Sequence, residues 1–188
     1  GIEISISGIK YESIPVDAEN NTAGKAILSL LDTLGSKQGF KVHIEKGIPP
    51  GSGIGSSSAS AAAAVVGVNE LLNKPLKNSE LLVHGMAGEA VASGGFHADN
   101  IAPALFGGII LIRSYEPLDI LNLPVPNNLF STAVLPNLIV NTLDARHMLP
   151  KQVPLKSAVE QAGNLAGFTL GLHESDFDLL GRSMVDLF

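Results

Sequence analysis

At 188 residues, 45% of them apolar, the chain is long enough to bury one substantial core or two smaller ones that share an interface. A net charge of −6 with only 5% aromatic residues provides neither the basic stripe nor the stacking platforms of a nucleic-acid binder, and the lack of cysteine removes disulfides and thiolate chemistry. A reducing, cytoplasmic setting is the expectation.

Gly1 leads directly into the alternating run Ile2-Glu3-Ile4-Ser5-Ile6, a strand with one buried face, and none of the parts of a signal peptide precede it. The chain is expected to start inside a fold. Asn21 to Leu34 spaces Ala23, Ala26, Ile27, Leu30, Leu31 and Leu34 at three and four, which predicts an amphipathic helix closed by Gly35. Phe40 to Glu45 alternates again and predicts a second strand. Further helices are expected from about Ser58 to Leu72 and from Ser79 to Val91, with a short buried strand at Ile109 to Arg113. The apolar stretch Ala59 to Leu72 is broken by Ser60, Gly67, Asn69 and Glu70, too short and polar to cross a bilayer, so no membrane partner is expected. Pro117, Pro124, Pro126, Asn127 and Asn128 place a domain junction near residues 115 to 128, giving domains of 1–120 and 121–188. Beyond it Phe130 to Val140 reads as a strand and Leu155 to Phe188 as two or more helices. The apolar stripes of those helices find little strand to cover them, so pairing with a second copy as a homodimer is one expected outcome.

The segment Pro49-Pro50-Gly51-Ser52-Gly53-Ile54-Gly55-Ser56-Ser57-Ser58-Ala59 follows a predicted strand and runs into an alanine-rich helix. Glycines at alternate positions let the backbone take positive φ and approach a ligand closely. The helix start adds unpaired N–H groups and the positive end of its dipole, a setting for a polyphosphate, and the serine hydroxyls add phosphate donors or a magnesium ligand. A flexible Gly-Ser connection is the plain alternative, but it requires neither two prolines, nor an apolar Ile54, nor an immediate helix. The P-loop is excluded because no lysine ends the segment, and the dinucleotide fingerprint because Ser56 stands where its third glycine belongs.

This segment resembles the signature of the GHMP kinases, a proline followed after three residues by Gly-Leu-Gly-Ser-Ser-Ser/Ala-Ala, with Ile54 in place of the leucine. A second cluster runs from Gly88 to Gly108 and sets Glu89, His97, Asp99 and Asn100 among small residues. It resembles the homoserine kinase branch of that superfamily, in which a glutamate precedes His-x-Asp-Asn-x-Ala-Pro-x-Leu-x-Gly-Gly. Asn141 to Pro150 is similar to the same branch's Thr-x-x-Ala-Arg-x-x-Leu-Pro.

The resemblance implies an α+β fold, a first domain like ribosomal protein S5 domain 2 and a partial ferredoxin-like second, with ATP and L-homoserine meeting between them. It implies that Ser57 and Glu89 bind Mg2+, and that Lys46 with the Pro49 to Ala59 loop holds the triphosphate. His97, Asn100 and Arg146 would shape the homoserine site, Arg146 by pairing its carboxylate, and Asp99, Asn100 and Thr142 would serve the transfer itself. The family's amino-terminal Asn-Leu-Gly-Pro-Gly-Phe-Asp and its late Ser-Gly-x-Gly-Pro segment have no counterpart, so the chain reads as a piece lacking both ends and by itself is expected to be inactive. Two other functions remain open at this point. One is a GHMP kinase with a sugar or mevalonate-type acceptor; the other is a metal-dependent hydrolase built on His84, Glu89, His97 and Asp99, whose spacing matches no zinc motif.

Overall fold

The computed structural model describes residues 1–134 and 150–188, which divide into two compact units, 1–107 and 108–188. The first unit opens with β1 (Ile2–Gly8), α1 (Thr22–Thr33) and β2 (Phe40–Lys46). β1 and β2 pair in parallel with Ile2 opposite Phe40, Ile4 opposite Val42 and Ile6 opposite Ile44. A parallel pair cannot be closed by a tight turn, and α1 supplies the crossover. The register puts the alternating apolar residues on one face and leaves Ser5, Ser7 and His43 on the other, where both ring nitrogens of His43 meet serine hydroxyls at 2.9 and 3.0 Å. Both strands were legible in the period-two pattern.

Asn21 starts α1. Its Oδ1 accepts from Ala23 N and Gly24 N, while its Nδ2 donates to Pro15 O at 2.7 Å, so both ends of a buried amide are hydrogen-bonded. α2 (Ser56–Leu71) and α3 (Asn78–Ser93) follow, joined by a turn that Asn69 staples through paired bonds to the backbone of Leu76. Glu80 fixes the start of α3 by accepting from Lys77 N at 2.8 Å. The helices α1, α2 and α3 pack on one another around Ile27, Leu30, Val65, Leu81 and Leu82, all buried. α4 (Ile101–Phe106) packs on α2 and α3 through Ile101 and Ala102. The sequence reading did not register this short helix, which has Pro103 inside it. Pro103 occupies the first turn, where the missing N–H would have no intrahelical partner in any case.

The core holds one titratable group with a pH consequence. His84 of α3 is 4% exposed, its Nδ1 lies 2.9 Å from Ser29 Oγ of α1, and burial pushes its pKa below the usual 6.5. The folded chain therefore favours the neutral ring, and the unfolded chain takes up the proton first. The stabilisation is complete above pH 6.5 and is lost as pH falls below it, with a slope no steeper than about 1.4 kcal/mol per pH unit for one proton. Urea midpoints measured between pH 7.5 and 5.5 are expected to fall, and His84→Gln to flatten that part of the profile. An equally steep fall in the variant would assign the effect elsewhere.

In the second unit β3 (Ile109–Tyr115) and β4 (Leu118–Leu123) form an antiparallel hairpin, with Ile109 opposite Leu123 and an irregularity between Ile112 and Ser114. Arg113 pairs with Asp119 across it. β3 runs to Tyr115, and β4 was absent from the sequence reading because Pro117 and Pro124 suggested an interruption. Pro117 stands in the hairpin turn and Pro124 just past the strand, so neither removes a ladder donor, and the proline-rich stretch 115–128 lies within the second compact unit. Residues 130–134 carry no strand, contrary to the strand expected over Phe130 to Val140, whose remainder lies outside the described residues. α5 (Leu155–Glu174) and α6 (Phe177–Ser183) are the expected carboxyl-terminal helices, and they meet at Leu172 and Leu180, both buried. Asp176 caps α6 by accepting from Leu179 N at 2.9 Å. Val159, Leu165, Leu170 and Met184 stand exposed, as the stripes that lacked a sheet suggested. No described helix is long and apolar enough to cross a membrane.

Candidate functional site

Between β2 and α2 the chain turns through Pro49 to Gly55 with Gly51, Gly53 and Gly55 at φ +70°, +75° and +79°. Glycine takes such angles with the least strain. Gly55 is the N-cap of α2; no side chain caps this end, and the intrahelical ladder begins with Ala59 N donating to Gly55 O at 2.8 Å. The N–H groups of the first turn are thus left for a ligand, with the helix dipole behind them. Pro50 and Ile54 flank the glycines, and Ile54 is exposed.

Glu89 of α3 comes to this helix start. Although only 8% exposed, its carboxylate accepts from Ser57 Oγ at 3.1 Å and from Ser58 Oγ at 2.8 Å. Burial of a carboxylate is tolerable with such donors and with the positive end of α2 beside it. Ser56 Oγ faces elsewhere and donates to Ile48 O at 2.7 Å, tying the helix back to the chain after β2. Lys46 is also held locally: its Nζ donates to Ser56 O at 2.7 Å and Ser60 Oγ at 2.8 Å, and burial lowers its pKa. Two of its three protons therefore brace the first turn of α2, next to a groove of about 620 Å³ between β2 and α2. Ser60 was not singled out from the sequence, though its place one turn after Ser56 on a predicted helix was the available signal.

The His97 to Asn100 turn approaches from the start of α4. Asp99 and Asn100 are exposed, Asp99 Oδ1 accepts from Asn100 N at 3.0 Å, and Asn100 Oδ1 would lie 3.3 Å from a Cβ placed on Gly55. His97 is half-buried with its ring against Gly95. The structure thus brings the loop, Glu89 and Asn100 together from α2, α3 and α4. Thr142 and Arg146 lie outside the described residues. His84 does not join this group, and among the described residues no three His, Asp or Glu converge as a metal-binding set, so the hydrolase arrangement has no geometric support.

Chemically, a glycine-lined helix start is an anion site, and here it stands beside a carboxylate. Residues 21–108, which contain all of these described groups except Pro15 and its neighbours, match the GHMP kinases N terminal domain. The chain carries a GHMP kinase N-terminal domain. It is 46% identical over 184 residues to a homoserine kinase of Methanococcus vannielii, a match that covers 98% of this chain and 60% of that protein. The crystal structure of homoserine kinase from Cytophaga hutchinsonii superposes with a TM-score of 0.94 at 46% identity, over 100% of this chain and 60% of that one. A mevalonate kinase from L. major, in complex with R-mevalonate, aligns with a TM-score of 0.67 at 20% identity over 98% of this chain, which is a likeness of fold alone. The chain spans about 60% of the length of the curated relatives it matches. The mixed α+β architecture expected from the GHMP resemblance is therefore the one observed.

Proposed function

We propose that the protein is a homoserine kinase, transferring the γ-phosphoryl group of ATP to the side-chain hydroxyl of L-homoserine to give ADP and O-phospho-L-homoserine. The observation that carries the phosphoryl-transfer part is the Gly51 to Ser58 loop opening α2 beside Glu89, with all three loop glycines at positive φ. The identity of 46% to homoserine kinases supports the choice of acceptor.

In this reading the open N–H groups at the start of α2 hold the triphosphate, and Lys46 keeps that turn in place. A phosphate there would stand beside the Glu89 carboxylate, two anions in one partly buried spot. A divalent cation resolves that conflict, and the residues fit it: Glu89 and Ser57 offer hard oxygen ligands, and Mg2+ typically takes few protein ligands and completes its shell with phosphate and water. When bound, Mg2+ would neutralise charge developing on the transferring group. Asn100, whose Oδ1 would lie 3.3 Å from a Cβ on Gly55, is proposed to position the acceptor hydroxyl next to the loop, with Asp99 and His97 on the same turn. Thr142 and Arg146 are proposed to complete the acceptor site, Arg146 by a planar, bidentate grip on the amino-acid carboxylate. Catalysis then rests on positioning and charge neutralisation rather than on a dedicated base.

An ADP-release assay on the intact protein, with L-homoserine, mevalonate and galactose as acceptors, tests the substrate, and homoserine-dependent release is expected. Release driven by mevalonate or galactose instead would replace this acceptor with another of the same superfamily. Glu89→Gln preserves size and most hydrogen bonding but removes the charge, and is expected to lower Mg2+-dependent turnover by roughly 100-fold with little change in melting. Near-normal turnover at low Mg2+ would take Glu89 out of the metal site.

A further inference from the structure

α3 carries the buried Glu89 and ends one turn later at Ser93. The chain then reverses at Gly94, the C-cap, whose φ of +71° is left-handed, and reaches His97 through Gly95 and Phe96. Two successive glycines impose little restraint of their own, and the Phe96 side chain is exposed. Ser93 ties this stretch back to the helix. Its Oγ lies 3.0 Å from Glu89 O, one turn back, and 3.0 Å from Gly95 O, beyond the cap. A hydroxyl has a single proton, so the two carbonyls share it. Glu89 O, inside α3, is also placed to accept from the helix ladder, whereas Gly95 O stands past the helix end and relies on partners outside it. The hydroxyl thus sets the direction in which the chain leaves α3. On the far side of the turn Ala98 and Ile101 are fully buried and hold the start of α4. Between these anchors the His97 ring lies directly on Gly95, where a Cβ would stand 2.6 Å from His97 Nε2.

Resting on the reading of the His97 to Asn100 turn as part of the acceptor site, we infer that Ser93 is a positioning residue for that site. Its hydroxyl holds the Gly95 carbonyl, the Gly95 backbone seats the His97 ring, and the ring thereby keeps its place relative to Glu89 on the same helix. Ser93 itself touches neither nucleotide nor acceptor. It sets the spacing between the carboxylate on the metal side and the imidazole on the acceptor side.

The intact protein carrying Ser93→Ala, Ser93→Thr or His97→Ala tests this. Ser93→Ala removes the tie and keeps a good helix former, and is expected to raise KM for L-homoserine about tenfold while KM for Mg2+–ATP stays within about twofold. Threonine keeps the hydroxyl, so Ser93→Thr is expected to restore the homoserine KM. A second readout needs no turnover: the His97 ring signals in NMR spectra, assigned from their loss in His97→Ala, are expected to shift in Ser93→Ala while those of His84 stay in place. Equal rises in both KM values, or loss of cooperative melting in Ser93→Ala, would make the hydroxyl structural and overturn the inference. An unchanged homoserine KM and unmoved His97 signals in Ser93→Ala, alongside a raised KM in His97→Ala, overturn the role of Ser93 and leave the acceptor reading intact. An unchanged homoserine KM in His97→Ala would instead overturn the acceptor reading on which the inference rests.

Discussion

Gly55→Val is expected to abolish useful nucleotide binding, lowering the affinity for Mg2+–ATP at least about 100-fold, or roughly 2.7 kcal/mol. Gly55 is the N-cap of α2 with φ +79° and ψ +32°, a left-handed conformation that costs an L-residue roughly 1–2 kcal/mol and a β-branched one more. A Cβ there also comes to 3.3 Å from Asn100 Oδ1, so valine presses the His97 to Asn100 turn away from the helix start. The added methyl groups then occupy space in front of the first-turn N–H groups. Gly53→Val separates the two causes, because its φ of +75° carries the same strain while a Cβ there meets nothing within 4 Å. Calorimetry with Mg2+–ATP gives the affinity and far-UV circular dichroism confirms that the helices remain. Ser56→Ala should do much less to binding, since the Ser56 hydroxyl is engaged with Ile48 O and the ligand donors in this turn are backbone. Unchanged ATP affinity in Gly55→Val would remove the loop from the nucleotide site.

The largest loss of stability is expected from Gly88. In α3 it lies where α1 and α2 close on each other: a Cβ would run into the carbonyl oxygen of Thr22 and stand 2.8 Å from Ala26 Cβ and 3.1 Å from Ala61 Cβ. The first of these is backbone in the opening turn of α1 and cannot swing away. Overpacking costs about 1–3 kcal/mol where side chains can yield and more where they cannot, a large share of the roughly 5–15 kcal/mol that keeps a domain folded. Gly88→Ala should therefore lower stability by about 3 kcal/mol, and Gly88→Val should leave no cooperative unfolding transition. Gly67, midway along α2, is the opposite case. It is exposed, a Cβ there meets nothing within 4 Å, and Gly67→Ala should stabilise by about 0.5–1 kcal/mol through helix propensity. Denaturant midpoints of both alanine variants check the pair, and equal effects of the same sign would show that the close approach of the three helices is wrong.

Those two glycines mark the boundary of what a linear reading can see. Periodicity located β1, α1 and β2, because each element's buried face imposes its own spacing on the sequence: two for Ile2, Ile4 and Ile6, three and four for Ala23, Ala26, Ile27 and Leu30. The glycine loop was legible for a similar reason. Alternate glycines before a helix are a demand of local backbone conformation, and Gly51, Gly53 and Gly55 all take the positive φ that the pattern implied. Local signals failed where punctuation was ambiguous. Pro117 read as an interruption, but it sits in a hairpin turn, a position that tolerates proline.

What the sequence by itself determined is the amphipathic framework, the glycine loop and the small set of acid, amide and hydroxyl residues from which a site could be made. Tertiary structure decided how those residues are used. Glu89 meets Ser57 and Ser58 only because α3 packs beside the start of α2, a contact between residues far apart in the chain that no local spacing encodes. Lys46, a triphosphate ligand by the GHMP resemblance, also braces the helix start because Ser56 O and Ser60 Oγ lie within its reach. Gly67 and Gly88 look alike in one dimension, and only the approach of α1 and α2 to α3 makes one replaceable and the other not. The physical reason is common to all three. Backbone conformation and burial periodicity are set by neighbours in sequence, whereas hydrogen-bond partners and free volume are set by neighbours in space.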